Sequence, residues 1–165
     1  MITTEELVEL TKRDLVLDRA SLSDMPQVHT MINEYADRGE MLHRSLAELY
    51  EYVRDFTIIR EAGDVVACAS LHVIWDDLAE IRSVAVKEDL QSHGLGALLV
   101  EHCVDEARNL GLSRVFCLTH KPGYYEKLGF NRTEVMSFPR KVWSECIRCP
   151  KFSACNEIAM SMDLK

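Results

Sequence analysis

Two glycines, Gly94 and Gly96, stand between a strand-like run and a helical one, and this junction constrains the fold more than any other segment. The preceding run, Val84-Ala85-Val86, is apolar and rich in β-branched residues, as in a buried strand. Glycine lets the backbone turn tightly and approach a ligand closely. The free N–H groups and the dipole at the start of the next helix favour phosphate. The junction therefore predicts a strand, a turn and a helix that bind a phosphate-bearing molecule.

Composition limits the function classes. The chain of 165 residues is long enough for one domain with a substantial core, and 47% hydrophobic and 28% charged residues are typical of globular proteins. The formal net charge of −8 argues against non-specific binding to nucleic acid or to anionic membranes, which require basic surfaces. We therefore expect neither nucleic acid nor membrane as a partner.

The N-terminus and the cysteines indicate a compartment. The first residues, Met1 to Glu6, are acidic and lack the basic and apolar regions of a secretory signal. Six cysteines without such a signal favour reduced thiols over a disulfide framework. We expect a cytoplasmic protein.

Periodicity predicts the element order β-α-α-β-β-β-α-β-α-β. The predicted strands span 14–20, 56–60, 65–75, 78–86, 114–119 and 157–164. The predicted helices span 23–39, 45–54, 94–110 and 122–128, with a short amphipathic helix over 3–13 before them. Tight turns predict antiparallel pairing over 56–86, and the strand–helix–strand unit over 78–119 predicts a parallel crossover. These elements form a mixed sheet in an α+β (mixed α/β) domain.

Two motifs resemble those of the Gcn5-related N-acetyltransferase (GNAT) superfamily. Gln91-Ser92-His93-Gly94-Leu95-Gly96 matches its Gln/Arg-x-x-Gly-x-Gly/Ala signature, and Tyr125-Glu126-Lys127-Leu128-Gly129-Phe130 is similar to its Tyr-x-x-x-Gly-Phe segment. The resemblance implies the GNAT fold, a central, mostly antiparallel mixed sheet flanked by helices. It also implies acetyl-CoA as cosubstrate, with no metal required.

A narrower resemblance is to bacterial N-acetylglutamate synthases. The segment Gly39-Glu40-Met41-Leu42-His43-Arg44-Ser45, the strand Phe116-Cys117-Leu118-Thr119 and the tail from Trp143 to Lys151 are similar to theirs. We expect one N-acetyltransferase domain over 1–165, with a core from about 14 to 165 and a cysteine-containing tail over 140–156. The resemblance implies acetyl transfer to L-glutamate by direct attack in a ternary complex, as the first step of arginine biosynthesis, and it allows a homodimer.

The resemblance implies how the cosubstrate is held. Backbone groups of the strand would align the pantetheine, and amides of the following loop would bind the pyrophosphate. The predicted cofactor-binding residues are Val84, Ala85, Val86, Gln91, Ser92, His93, Gly94, Leu95, Gly96 and Ala97. The alternative is a plain strand–turn–helix whose glycines serve packing alone.

Glu80 and Tyr125 are the candidate catalytic residues. Glu80 lies on the fourth strand, where the family often places a basic carboxylate, and a period of two puts it on one face with Arg82 and Val84. Glu80 would take the proton from the acceptor amine directly or through water. The alternative is that it is a solvated or salt-bridged carboxylate without a catalytic role. His72 is an alternative base. Tyr125 lies where the family's tyrosine returns a proton to the thiolate, and otherwise is a packing aromatic.

Three cationic residues are candidates for the acceptor's carboxylates. Arginine binds carboxylate through two parallel hydrogen bonds. Arg44 matches the Arg-Ser pair of the synthases, Arg82 shares the strand face of Glu80, and Lys141 follows Phe138-Pro139. For Arg82 the alternative is a structural pair with Glu80, and for each of the three it is a surface role.

The tail cysteines form a second constellation. Cys146 and Cys149 have metal-binding or redox spacing, and Cys155 follows. Zinc would need a fourth ligand from elsewhere, a redox pair needs only the two thiols, and buried structural thiols are the third alternative. Three functions thus compete: a glutamate N-acetyltransferase, a GNAT enzyme for another small amine or a protein N-terminus, and a metal- or redox-responsive module.

Overall fold

Seven strands form one mixed sheet in the part of the chain that the structure, a computed structural model, describes: residues 3–5, 12–138, 145–151 and 155–165. The sheet order is β1-β2-β3-β4-β5-β7-β6. The strands are β1 (Leu15–Arg19), β2 (Phe56–Glu61), β3 (Asp64–Trp75), β4 (Leu78–Val86), β5 (Arg114–Thr119), β6 (Asn131–Thr133) and β7 (Ile158–Asp163). Six of them match predicted strands, and β6 is an addition.

Four helices follow the predicted pattern: α1 (Met25–Asp37), α2 (Leu46–Glu51), α3 (Leu95–Asn109) and α4 (Pro122–Lys127). The predicted capping box of α2 is present, because Ser45 Oγ accepts from the Glu48 amide at 3.1 Å and Glu48 returns a bond to the Ser45 amide at 2.8 Å. The predicted helix over 3–13 falls largely outside the described residues. None of the helices in the described ranges is both long and apolar enough to cross a membrane.

Strand pairing confirms the predicted topology. Strands β2 and β3 are antiparallel and joined at Ala62 and Gly63, whose φ angles of 50° and 87° suit a two-residue hairpin turn. Strands β4 and β5 are parallel, as the crossover through α3 predicts. Strand β1 pairs antiparallel with β2, and β7 pairs antiparallel with β5 and β6. The fold is therefore a mixed, mostly antiparallel sheet with helices, as predicted.

The chain divides into two compact units, Met1–Leu71 with Ser83–Cys103 and His72–Arg82 with Val104–Lys165. In the first, α1 buries its apolar face in a core with residues of α2, β2 and β3. In the second, Phe116 and Phe138 stack with ring centroids 4.2 Å apart, and Ala159 packs with them. Each unit thus has a core of its own.

Candidate active site

The predicted phosphate-binding segment has the expected shape. Strand β4 ends at Val86, a short 3-10 turn follows over Glu88–Leu90, and α3 begins at Leu95. Ser92 and Gly94 have φ angles of 64° and 82°, the left-handed conformation that turns a backbone tightly. The bond from the Leu98 amide to the Gly94 carbonyl (3.0 Å) opens the helix, so the amides of 95–97 precede it. These amides could bind an anion such as pyrophosphate.

A side-chain clamp holds the end of β4 to the start of this loop. The Tyr35 hydroxyl, from α1, donates to the carbonyl oxygen of Val86, and the Gln91 side-chain amide donates to the Tyr35 hydroxyl. Gln91 Nε2 also lies 3.4 Å from the Val86 oxygen. Burial raises the pKa of Tyr35, which keeps the phenol protonated as a donor. Gln91, predicted to contact the cosubstrate, is thus tied by its side chain to α1.

The direction of the Val86 carbonyl follows from its neighbour. The Lys87 amide donates to the Val66 carbonyl of β3 at 2.9 Å. In a trans peptide the C=O and the N–H point in opposite directions, so the Val86 carbonyl points away from β3. Tyr35 and Gln91 meet the Val86 oxygen on that side, so this end of β4 is tied to α1.

Strand β4 is irregular at Ser83, whose φ of 55° is unusual for a residue with a side chain. The Cys68 thiol supports this irregularity, because it donates to the Ser83 carbonyl at 3.4 Å and accepts from the Ala85 amide. Burial raises the pKa of Cys68 to about 12, so the thiol stays protonated. The alternation of faces predicted for Glu80, Arg82 and Val84 therefore cannot be carried across Ser83 to Val84.

Arg44 is held at its backbone by a side chain of α1. Its N–H donates to Asn33 Oδ1 at 3.1 Å, and its carbonyl accepts from Asn33 Nδ2 at 2.9 Å. The side chain is partly buried, and the guanidinium makes no hydrogen bond or ion pair with any residue in the described ranges. Arg44 therefore offers a positioned cation to an anionic ligand.

Glu80 and Arg82 form a buried charged cluster with Glu145. The Glu80 side chain is 5% exposed and the Arg82 side chain 9%. Arg82 Nη1 donates to Glu145 Oε1 at 2.6 Å and stands 3.8 Å from Glu80 Oε2. Both predicted uses of Arg82, binding a carboxylate and pairing with Glu80, are compatible with this geometry, and Glu145 is an additional partner.

Tyr125 is buried among aromatic rings. Its ring meets those of Tyr124 and Phe130 edge to face, each at 5.4 Å between centroids. Its side chain is hydrogen-bonded to the Cys117 thiol on β5. Burial raises the pKa of Cys117 above its ordinary range, and the nearby Glu80 charge raises it further, so this thiol also stays protonated. Glu80, Cys117 and Tyr125 thus come together within one unit.

The remaining predicted residues are only partly placed. His72 on β3 is partly buried, and Lys141 lies outside the described residues. Cys146, Cys149 and Cys155 carry free thiols. Among the described residues, no group of three or more His, Cys, Asp or Glu side chains could hold a metal ion, so the zinc alternative has no ligand set there.

Sequence reasoning missed Asn33, Tyr35, Cys117 and Glu145. The Tyr35 hydroxyl bonds residues more than fifty positions away in sequence. Glu145 meets Arg82 across 63 positions. Periodicity reports which face of an element is buried and is silent on such distant polar partners.

Comparison with known proteins places these features in a family. Residues 23–130 match the model of the acetyltransferase (GNAT) family. An "Uncharacterized N-acetyltransferase CT2212" of Chlorobaculum tepidum is 37% identical over 89% of this chain and 95% of its own length. An "Amino-acid acetyltransferase" of Mycobacterium tuberculosis is 37% identical over 81% of this chain and 78% of its own.

Solved structures agree in fold. Rv2747 from Mycobacterium tuberculosis, in complex with CoA and NLQ, has a TM-score of 0.80 and 32% identity, covering 91% of this chain and 99% of its own. N-acetylglutamate synthase from Neisseria gonorrhoeae, complexed with coenzyme A and N-acetyl-glutamate, has a TM-score of 0.81 and 26% identity. That match covers 92% of this chain but only 35% of the synthase.

Proposed function

This chain belongs to the acetyltransferase (GNAT) family, and we propose that it transfers the acetyl group of acetyl-CoA to the α-amine of L-glutamate. Its activity class is N-acetyltransferase, and acetyl-CoA is its cosubstrate. The choice of glutamate, the single catalytic domain, the cytoplasmic setting and a role in arginine biosynthesis belong to the proposal. The relatives that support it are the amino-acid acetyltransferase of Mycobacterium tuberculosis and the Neisseria gonorrhoeae synthase with N-acetyl-glutamate.

The observation that carries the proposal is Arg44. A guanidinium that has no ion-pair partner among the described residues, on a backbone fixed at both polar groups, suits a carboxylate-bearing acceptor. A cationic acceptor such as a polyamine would instead require carboxylates at this position. We assign Arg44 to a carboxylate of the acceptor, and Arg82, which pairs with Glu145, is a second candidate for carboxylate binding.

The proposed cosubstrate contacts use mainly backbone groups. The edge of β4 at Val84 to Val86 would align the pantetheine, and the amides from Gln91 to Ala97 would bind the pyrophosphate. The positive φ angles of Ser92 and Gly94 support this assignment, because they expose successive amides on one side of a turn.

The proposed reaction involves three proton transfers and exchanges a C–S bond for a C–N bond, and Glu80 releases its proton to water at the end of the cycle. Glu80 takes a proton from the ammonium of the acceptor, directly or through water, and the amine attacks the thioester carbonyl. The new C–N bond forms and the C–S bond breaks. The thiolate leaves with a proton from the Tyr125 hydroxyl, which regains one as the product nitrogen is deprotonated. N-acetylglutamate and CoA are the products.

A panel of acceptors tests the proposal. Release of the CoA thiol is followed with glutamate, glutamine, aspartate, ornithine, spermidine and a short peptide as acceptors. We expect kcat/KM for glutamate to exceed that of every other acceptor. Faster turnover with spermidine or the peptide would favour a different GNAT substrate and overturn the glutamate assignment.

Substitution of Arg44 tests the residue that carries the argument. Arg44→Gln should raise the KM for glutamate about tenfold or more, because a charge-assisted pair to a carboxylate is lost. The KM for acetyl-CoA should change less than twofold. Arg54→Gln, at an exposed arginine after α2, is the matched control and should change neither value.

A further inference from the structure

We infer that α1 is the positioning helix of this enzyme: Asn33 orients Arg44 toward the acceptor, and Tyr35 fixes the cosubstrate loop through Val86 and Gln91. The inference rests on the proposed function and adds two residues that do not themselves touch substrate. Both lie on one helix, two positions apart, and each is tied to a different predicted binding element.

Tyr35 forms a directional chain of hydrogen bonds. A phenol has one donor and accepts as well, and here it donates to the Val86 carbonyl while accepting from the Gln91 amide. Such a chain strengthens each of its members. It fixes the last peptide of β4 relative to the first residue of the loop, which are the two places where the cosubstrate would bind.

Arg38 extends the clamp by one helical turn. Its guanidinium lies 4.6 Å from the centroid of the Tyr35 ring and pairs with Glu88 in the turn between β4 and α3. The end of α1 and the residue after it therefore contact the loop at positions 86, 88 and 91. Three contacts fix the orientation of a short segment, whereas a single contact would allow it to pivot.

Asn33 fixes the backbone of Arg44, as Tyr35 fixes the cosubstrate loop. Its side-chain amide bonds both polar groups of the Arg44 backbone, as a neighbouring β-strand would. Nδ2 also donates to the His29 carbonyl at 2.9 Å, which fixes the amide on its own helix. The direction in which the arginine leaves the backbone is thus set by α1.

The inference predicts that two substitutions on α1 each weaken the binding of a different substrate. Tyr35→Phe removes the hydroxyl chain and should raise the KM for acetyl-CoA and the Kd for CoA about three- to tenfold, with the KM for glutamate unchanged. Asn33→Leu removes both bonds to Arg44 and should raise the KM for glutamate about three- to tenfold, with CoA binding unchanged.

The experiment combines steady-state kinetics with calorimetric titration of CoA, using the full chain. Tyr50→Phe, at an exposed tyrosine, and Thr30→Val, which removes a bond from the exposed Thr30 hydroxyl to the Pro26 carbonyl, are the matched controls and should leave every value unchanged. Thermal melts of each variant measure folding separately. A purely structural role would lower the melting temperature without separating the two KM values.

A second variant keeps the test independent of how Tyr35→Phe folds. Gln91→Met removes the amide donor at similar length and should also weaken CoA binding. The double variant should bind CoA no more weakly than the weaker of the two single variants, because both remove one chain. Additive losses, or equal effects of Asn33→Leu and Tyr35→Phe on both substrates, would overturn the inference.

The outcomes separate this inference from the proposed function. A wild-type chain that binds CoA and acetylates glutamate, with no crossed pattern in the variants, contradicts the role of α1 alone. A wild-type chain that does not acetylate glutamate contradicts the proposed function, while a CoA-specific loss in Tyr35→Phe would still support the role of Tyr35.

Discussion

Two arginine–carboxylate clusters, one in each unit, contain the same chemical groups in different geometry. Arg60 donates to both oxygens of Asp24, at 2.6 and 3.2 Å, and to Asp18 at 2.9 Å. Arg82 donates to Glu145 at 2.6 Å but stands 3.8 Å from Glu80, beyond hydrogen-bond range. In the first cluster two parallel hydrogen bonds join Arg60 to Asp24. In the second, Arg82 Nη1 lies 3.8 Å from the buried Glu80 Oε2.

Asp24 also accepts hydrogen bonds from a residue other than its arginine. Its Oδ2 accepts from the Ser21 amide at 2.7 Å and from the Ser21 hydroxyl at 2.8 Å, in a capping box before α1. Burial alone would raise the pKa of Asp24, but the bonds from Arg60 and Ser21 outweigh it and lower the pKa. Such a carboxylate stabilises the fold, so Asp24 serves as the structural counterpart to the proposed catalytic carboxylate of Glu80.

The largest expected effect is at Glu80. Glu80→Gln should lower kcat about 10²- to 10⁴-fold, since a general base contributes on this scale. The pH–rate profile should also change, and chemical denaturation of the variant measures its folding separately. An unchanged pH–rate profile would remove Glu80 as the base and leave His72 or a water chain as alternatives.

Asp24 should show the reverse pattern. Asp24→Asn should lower the free energy of unfolding at pH 7 by about 2–4 kcal/mol, because it leaves Arg60 without its two-point partner. Chemical denaturation measures this loss, and kcat/KM at 25 °C should stay within about twofold. Asp18→Asn, at the more exposed partner of Arg60, is the control and should cost less than about 1 kcal/mol. Loss of activity in a folded Asp24→Asn variant would erase the distinction between the clusters.

The pH dependence of that stability difference follows from the lowered pKa. Because the folded pKa of Asp24 lies below the ordinary value of 3.8, its contribution is complete above pH 3.8 and disappears as the pH falls through the folded value. The stability difference between wild type and Asp24→Asn should therefore be constant from about pH 5 to 7 and shrink below about pH 4. A difference that shrinks only on the alkaline side would contradict this account.

The smallest effect is expected at Glu145. Glu145→Gln removes the charge that competes for the Arg82 guanidinium, so the KM for glutamate should fall about two- to fivefold. Asp163→Asn, which breaks the exposed pair with Arg114, is the control and should leave the KM unchanged. A rise in KM would mean that Glu145 positions Arg82 for the acceptor instead of competing with it.

Local chemistry explains which elements could be predicted. Strands β4 and β5 match their predicted bounds. Both are determined by local sequence, through their apolar residues and the turn residues that flank them. Strand β6 spans only Asn131–Thr133, which is too short and polar to show alternation. The left-handed backbone conformation of Ser83 is not marked by a glycine in the sequence. It is stabilised by a hydrogen bond from Cys68 on the neighbouring strand.

The candidate site divides in the same way. The turn between β4 and α3 is predictable because glycines and a helix start define it within one segment. The partners of Arg44, Gln91 and Arg82 lie 11, 56 and 63 positions away, and only the folded chain brings them together. The geometry of Arg82 is compatible with both of its predicted uses and adds Glu145 as a partner, which no local pattern in the sequence indicates.

A competition assay tests the central claim most directly. The enzyme is given acetyl-CoA and an equimolar mixture of glutamate, glutamine, aspartate, ornithine, lysine and spermidine, and the acetylated products are quantified by mass spectrometry at low conversion. The account predicts that N-acetylglutamate is the dominant product in wild type and loses that dominance in Arg44→Gln. A dominant acetylated polyamine or lysine in wild type would contradict it.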